Sequence, residues 1–184
     1  MSRIRFAKKF TELNYVAEQA KLRVCVHCGQ LGTVNAHGYL RGYSADGKPD
    51  GVRGIRFYCS NRGNKTGCGR TMSVLIKTFI ATFSVTTRLL SFFAESVLQG
   101  LSVRAAWLLA CSKQFSERSG YRLWDRILGS LPHLRTVLLR AGRPPSTSKA
   151  HPLSQVLLQI AKHVPITSDC FGAFQYRFQS GIFN

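Results

Sequence analysis

The chain has 184 residues, with 26 Lys and Arg against 8 Asp and Glu, a formal net charge of +18, and 45% hydrophobic residues. Such an imbalance repels itself in the folded state and favours polyanionic partners, nucleic acid first and an anionic membrane surface second; charge serving solubility alone is the third reading. No uninterrupted apolar run approaches the roughly 20 residues that a membrane span needs. The longest apolar zone, Phe79 to Leu98, is broken by Thr82, Ser84, Thr86, Thr87, Arg88, Ser91 and Glu95.

Residues 1–23 read as a basic arm and a short helix capped by Thr11, with Leu13, Val16, Ala17 and Ala20 as its apolar stripe. The first ten residues lack the apolar core of a secretory signal. The expected setting is therefore cytoplasmic and reducing, where clustered cysteines point to metal rather than disulfides.

Residues 24–78 are glycine-punctuated and β-rich. The spacing predicts strands over 38–43 and 51–58, turn chemistry over Ser44 to Asp50, and a third strand over 71–75. This segment holds four cysteines in the pattern C-x2-C-x30-C-x8-C: Cys25, Cys28, Cys59 and Cys68. Tetrahedral thiolate and imidazole sets are what zinc favours, and thiolate-rich sets make closed, structural sites. Cys25 and Cys28, followed by Gly29, suit one knuckle of a zinc ribbon. Cys59 and Cys68, followed by Gly69, suit a second, with Ser60 to Gly67 bulging out as a loop. His27 or His37 is an alternative ligand in place of one thiolate, and a metal-free segment is the remaining reading. One zinc ion on four thiolates carries net −2, which would bring the chain from +18 to +16. Arg53, Arg56, Arg62, Lys65 and Arg70 would form a basic rim, either touching phosphates or simply solvated. Cys111 and Cys170 read as buried or spare thiols.

From about residue 79 the period becomes helical, over 79–142. Helices are expected over 86–99 with Gly100 as stop, over 103–111 capped by Ser102, over 117–128 capped by Ser116 and ended by Gly129, and a fourth capped by Ser130, with Pro132 in its first turn and Gly142 after its end. Residues 101–128 have the layout of a helix-turn-helix, with a turn at 112–115. Arg118, Arg122 and Arg126, four apart, align on one face of its second helix, and Lys113 lies in the turn. That face suits DNA; the alternative is a plain helical bundle with solvated arginines. Gly120 inside this helix costs about 1 kcal/mol relative to Ala. In 143–184, Arg143 to Lys149 is a linker by composition, Pro152 to Val164 is a further helix, and the tail carries Phe171, Phe174, Tyr176, Phe178 and Phe183. This aromatic strip would dock on the body or on a protein partner.

The stretch Arg56-Phe-Tyr-Cys-Ser-Asn-Arg-Gly-Asn-Lys-Thr-Gly-Cys-Gly-Arg-Thr-Met-Ser-Val74 resembles the second knuckle of zinc-ribbon segments at the N-termini of bacterial transposases and related mobile-element proteins. Those segments often read Cys, a short polar loop, then Cys-Gly-Arg-Thr-Phe; Met72 here takes the aromatic position. His37-Gly-Tyr-Leu-Arg-Gly-Tyr43 is similar to the strand between knuckles in that group. The resemblance covers residues 24–130 and implies a helix-turn-helix after the ribbon. Full transposases of these groups add a nuclease domain with an acidic metal-binding triad. Here Glu12, Glu18, Asp46, Asp50, Glu95, Glu117, Asp125 and Asp169 are scattered and offer no convergent set. No phosphate-cradling Gly-Lys-Ser/Thr loop or Ser-His-Asp arrangement is present either.

The expectation is an α+β protein: a small β-rich zinc ribbon followed by a helix-turn-helix-like module, binding DNA and carrying one structural zinc. It would be nucleoid-associated, linked to a mobile element or its regulation, without a small-molecule substrate and without catalysis of its own. The alternatives are an RNA-binding ribbon, stacking bases on Tyr39, Tyr43, Phe57 and Tyr58, and an adaptor using the aromatic tail. A split-enzyme subunit working through Asp46 or Asp50 is a fourth reading.

Overall fold

A computed structural model of the chain describes residues 3–43, 50–81, 83–111, 115–144, 151–164 and 169–183. Contacts divide the chain into two units, Met1–Phe79 and Ile80–Asn184. The class is α+β.

The first unit opens on a strand where the sequence suggests a basic arm. Ile4 and Phe6 alternate with Arg3 and Arg5, and the segment forms β1 (Arg3–Ala7), with Phe6 and Ala7 buried. Then come α1 (Phe10–Glu18), a single 3-10 turn (Ala20–Leu22), β2 (Val34–Gly42), β3 (Gly51–Cys59) and β4 (Thr71–Ile76). The sheet order is β1-β4-β3-β2, with β1 parallel to β4 and the other pairs antiparallel. Most of the expected 44–50 turn lies outside the described residues. Helix α1 starts at Phe10 behind Lys9, not at Thr11, and has no side-chain cap. Glu12, in the first turn, compensates by accepting the Lys8 N–H at 2.5 Å. Its stripe of Leu13, Val16 and Ala17, continued by Ala20, packs with Ile55, Phe57 and Val74 of the sheet. Cys25 and Cys59 belong to this same core.

The second unit is helical: α2 (Thr87–Leu98), α3 (Val103–Cys111), α4 (Glu117–Leu139), α5 (Pro152–His163) and α6 (Cys170–Phe178). Helix α2 packs on α3 and α6, and α4 packs on α3 and α5; α5 also meets α6. Thr86 caps α2 by accepting the Leu89 N–H, and Ser102 accepts the Ala105 N–H at the start of α3. The core gathers Phe93, Trp107, Ile127, Leu134, Leu153, Ile160, Phe171 and Phe174. Among the described residues no helix is long and apolar enough to cross a membrane.

Two expectations change here. The helices predicted over 117–128 and from Ser130 are one, α4, which passes through Gly129 and Pro132. The Ser130 hydroxyl donates to the Ile127 carbonyl within the helix rather than capping a new one. Leu123, Ile127, Leu131, Leu134 and Leu138 keep one buried stripe across the supposed break. An interior proline costs about 3 kcal/mol, whereas burying each of Leu131, Leu134 and Leu138 contributes about 1.5–3 kcal/mol. The stripe wins. The aromatic tail, secondly, expected as a strip docked on the body or on a partner, is a helix docked on its own unit. It forms α6, whose Phe171 and Phe174 are fully buried in the core of its own unit.

Candidate metal centre and basic surfaces

The two cysteine pairs lie on knuckles with matching backbone bonds. In the first, the Cys25 N–H donates to the Gln30 carbonyl and the Cys25 carbonyl accepts the Gly29 N–H, both at 2.9 Å. In the second, the Cys59 N–H donates to the Arg70 carbonyl and the Cys59 carbonyl accepts the Gly69 N–H, both at 3.0 Å. Gly29 and Gly69 have φ of 75° and 71°, a left-handed turn that glycine adopts without strain. The second knuckle, with eight residues between its cysteines where the first has two, thus keeps the same frame. Ser60 starts the excursion, its N–H donating to the Thr33 carbonyl, and the Gly67 N–H closes it on the Ser60 carbonyl. Residues 61–66 between them are exposed.

The four Sγ atoms all lie within 4.8 Å of one another. Cys25 and Cys68 approach to 3.8 Å, and Cys28 and Cys59 to 3.7 Å. A tetrahedral ion with sulfur at about 2.3 Å places its ligands about 3.8 Å apart, so the group can hold one metal ion. Cys25 and Cys59 are buried, Cys68 is half-buried and Cys28 exposed. The His27 N–H points at the Cys25 Sγ at 3.4 Å and the Cys68 N–H at the Cys59 Sγ at 3.2 Å. Both donors stabilise thiolate charge.

Neither histidine alternative belongs to the group. The His27 ring nitrogen donates to the Thr71 carbonyl at 3.3 Å, and His37 packs near Tyr58, with ring centroids 6.5 Å apart. The sequence reading missed Thr33. It is buried, and its hydroxyl lies 3.2 Å from the Cys59 Sγ. Its position after Gly32, at the foot of β2, was the available signal.

The thiols differ in acidity. Burial pushes Cys25 up to about 11, against the lowering effect of the His27 and Cys28 N–H groups. Burial also works to raise Cys59, but the Thr33 hydroxyl, the Cys68 N–H and the Cys25 and Cys28 thiols outweigh it and hold Cys59 at about 7. Cys59 is therefore the readier thiolate of the two. Cys111 is buried in the helical core, and Cys170 donates to the Ser91 hydroxyl at 3.3 Å.

Of the expected basic rim, Arg56, Arg62, Lys65 and Arg70 are exposed. Arg53 is not on it. Its guanidinium stacks over the Phe79 ring at 4.8 Å and is half-buried there. The base-stacking set also changes. Phe57 is a core residue, 2% exposed. Tyr39 packs toward α1, near Phe10 and Asn14, whereas Tyr58 lies with His37 on the other face. These rings make no single platform.

On α4, Arg118, Arg122 and Arg126 are all exposed. The first-turn carboxylate of that helix, Glu117, is gripped by Arg104 through bonds of 2.7 and 2.9 Å. That pairing lowers the Glu117 carboxyl. Lys113 and Asp46 lie outside the described residues. Among those described, the four cysteines are the one group of three or more His, Cys, Asp or Glu side chains arranged to hold a metal.

No protein-family model, curated protein or solved structure matches the chain.

Proposed function

We propose that the protein binds duplex DNA through α4, on a fold whose first unit is held by one structural zinc ion. The observation that carries the DNA reading is the row of Arg118, Arg122 and Arg126, all exposed. Residues four apart on a helix are about 6 Å apart along its axis, inside the screening length of about 8 Å at physiological salt. Like charges at this spacing destabilise an isolated helix by a few tenths of a kcal/mol. A phosphate backbone reverses that cost, and a helix with outward arginines suits entry into a major groove. With Glu117 held by Arg104, the carboxylate at the start of this helix does not oppose an approaching phosphate.

Zinc is the metal we assign because four thiolates at tetrahedral separations suit it best. With no ligand position left for water, its contribution is to cross-link the knuckles. Arg56, Arg62, Lys65 and Arg70 on the first unit are further phosphate contacts in this reading. The likeness of Cys68-Gly-Arg-Thr71 and its loop to transposase ribbons favours a mobile-element or regulatory setting, with any strand cutting left to another protein.

The test is the salt dependence of duplex binding. Replacing all three arginines by alanine should weaken binding to unrelated sequences alike and reduce the slope of log K against log salt by about 3. An unchanged slope would remove α4 from the interface.

A further inference from the structure

The second unit contains an open cleft of about 590 Å³ beside the arginine row. Phe83 and Phe115 contribute aromatic surface above the buried Trp107, and Ser119, Arg122 and Arg126 of α4 form one wall. Among the described residues no carboxylate lines it. The volume falls in the range of ligand sites, about 300–1,000 Å³.

The lining is specific in its chemistry. Phe83 and Phe115 are both half-buried, and the Phe83 ring packs on Phe183 with centroids 5.1 Å apart, which leaves Phe115 as the ring for a ligand to stack on. Trp107 lies 6.0 Å from Phe115, centroid to centroid, and its indole N–H is already satisfied by the Ser116 carbonyl at 3.0 Å. At 1% exposure it closes the floor of the cleft and offers no hydrogen-bond donor there. The Arg126 guanidinium lies over the Phe83 ring at 4.9 Å, which holds a cation at the wall. Arg122, one turn earlier on the exposed face, supplies a second. A simple apolar ligand would leave two guanidinium groups at its edge without a counter-charge. A plain inorganic anion would leave the aromatic surface unused. A flat π-system joined to a phosphate uses both.

We propose that this cleft accepts one unstacked base of a bound nucleic-acid strand, with the adjoining phosphate on Arg122 and Arg126. The inference rests on the DNA-binding reading above and adds a preference to it: the protein favours DNA that already contains an unpaired base. An unpaired base needs little energy to leave the helix, whereas a paired one must first be unstacked. Stacking on an aromatic side chain contributes about 1–3 kcal/mol per base and tolerates any base identity.

The full metal-loaded chain is titrated with two DNA duplexes of one sequence. One is fully paired; the other carries a single bulged 2-aminopurine whose fluorescence reports stacking. The bulged duplex should bind about tenfold more tightly, with its fluorescence quenched on binding. Phe115→Ala should reduce the preference to about twofold or less while leaving affinity for the paired duplex unchanged. Because Phe115 also packs against the core, Ser119→Leu provides a second variant that fills the cleft from its edge with no ring to stack on and without emptying the core, with the same expected loss. Equal binding of both duplexes by the unmodified chain would overturn the cleft assignment and leave duplex binding standing. Binding of neither would overturn both. A preference that survives in both variants would place the unpaired base elsewhere and also overturn the assignment.

Discussion

The indole of Trp107 lies directly on the bare backbone of Gly120. A Cβ at Gly120 would stand 2.5 Å from the Trp107 Cγ and 2.7 Å from its Cβ. These are the rigid, backbone-proximal atoms of the tryptophan, so they cannot swing aside as a side-chain tip would. The glycine that looks unfavourable inside α4 is what lets α3 approach it.

Gly120→Ala is therefore expected to destabilise the protein although it raises helix propensity. The propensity gain is about 1 kcal/mol, and overpacking against a fixed neighbour costs about 1–3 kcal/mol. Denaturant unfolding followed by tryptophan fluorescence should show a net loss of up to about 2 kcal/mol. A stabilised variant would mean that α3 and α4 do not meet at this contact.

The second knuckle depends on Gly67 in a related way. A Cβ there would collide with the Ser60 carbonyl oxygen and stand 2.7 Å from the Cys59 Sγ. Gly67→Ala should weaken zinc binding about 10–100-fold, the range seen when groups supporting a metal ligand are disturbed. Gly63→Ala is the control. Gly63 has φ of 60° but open space around it, so its replacement should strain the loop by about 1–2 kcal/mol without changing zinc affinity. Competition with a chromophoric chelator reads both. Equal affinities for the two variants would show that the Ser60–Gly67 closure does not shape the site.

Cys170 gives the second unit a pH dependence of its own. Burial, then the charges of Glu95 and Asp169, raise its thiol from 9.0 to about 11, against the Ser91 hydroxyl and the Phe171 N–H. Because the folded state holds the proton more tightly than the unfolded one, the associated stability is complete below pH 9. It is lost as pH rises through about 11. The size is about 2–3 kcal/mol. Cys170→Ser, which cannot ionise in this range, should unfold with a shallower dependence on pH between 9 and 11 than the parent chain. Parallel curves would show that the Cys170 thiol is not held in its protonated form.

Much of the second unit and both knuckles were legible because local chemistry and tertiary packing agree there. Thr86 and Ser102 sit at helix starts, Gly100 ends α2 with φ of 102°, and the Cys-Gly steps mark the two turns. Misreadings arose where a local signal competed with a longer apolar pattern. Arg3 and Arg5 suggest an arm, but Ile4 and Phe6 carry the period of a strand. Gly129, Ser130 and Pro132 resemble a helix boundary, yet the leucine stripe from Leu123 to Leu138 runs straight through. Phe171, Phe174 and Phe178 are spaced three and four apart, a helical signature hidden by reading the tail as a strip. Arg53 and Phe57 illustrate a different limit. Charge or aromaticity does not say which way a side chain faces until the strand's register is known, and here the register turns Phe57 into the core and stacks Arg53 on Phe79.

The first unit folds only if Cys25, Cys28, Cys59 and Cys68 hold a metal. Elemental analysis of the purified full chain, combined with circular dichroism before and after chelation, tests this most directly. The expected result is one equivalent of zinc per chain, with strand signal from the first unit lost on chelation and restored by zinc but not by magnesium. A chain that contains no metal, and whose spectrum and unfolding midpoint are the same with and without chelator and added zinc, would contradict it.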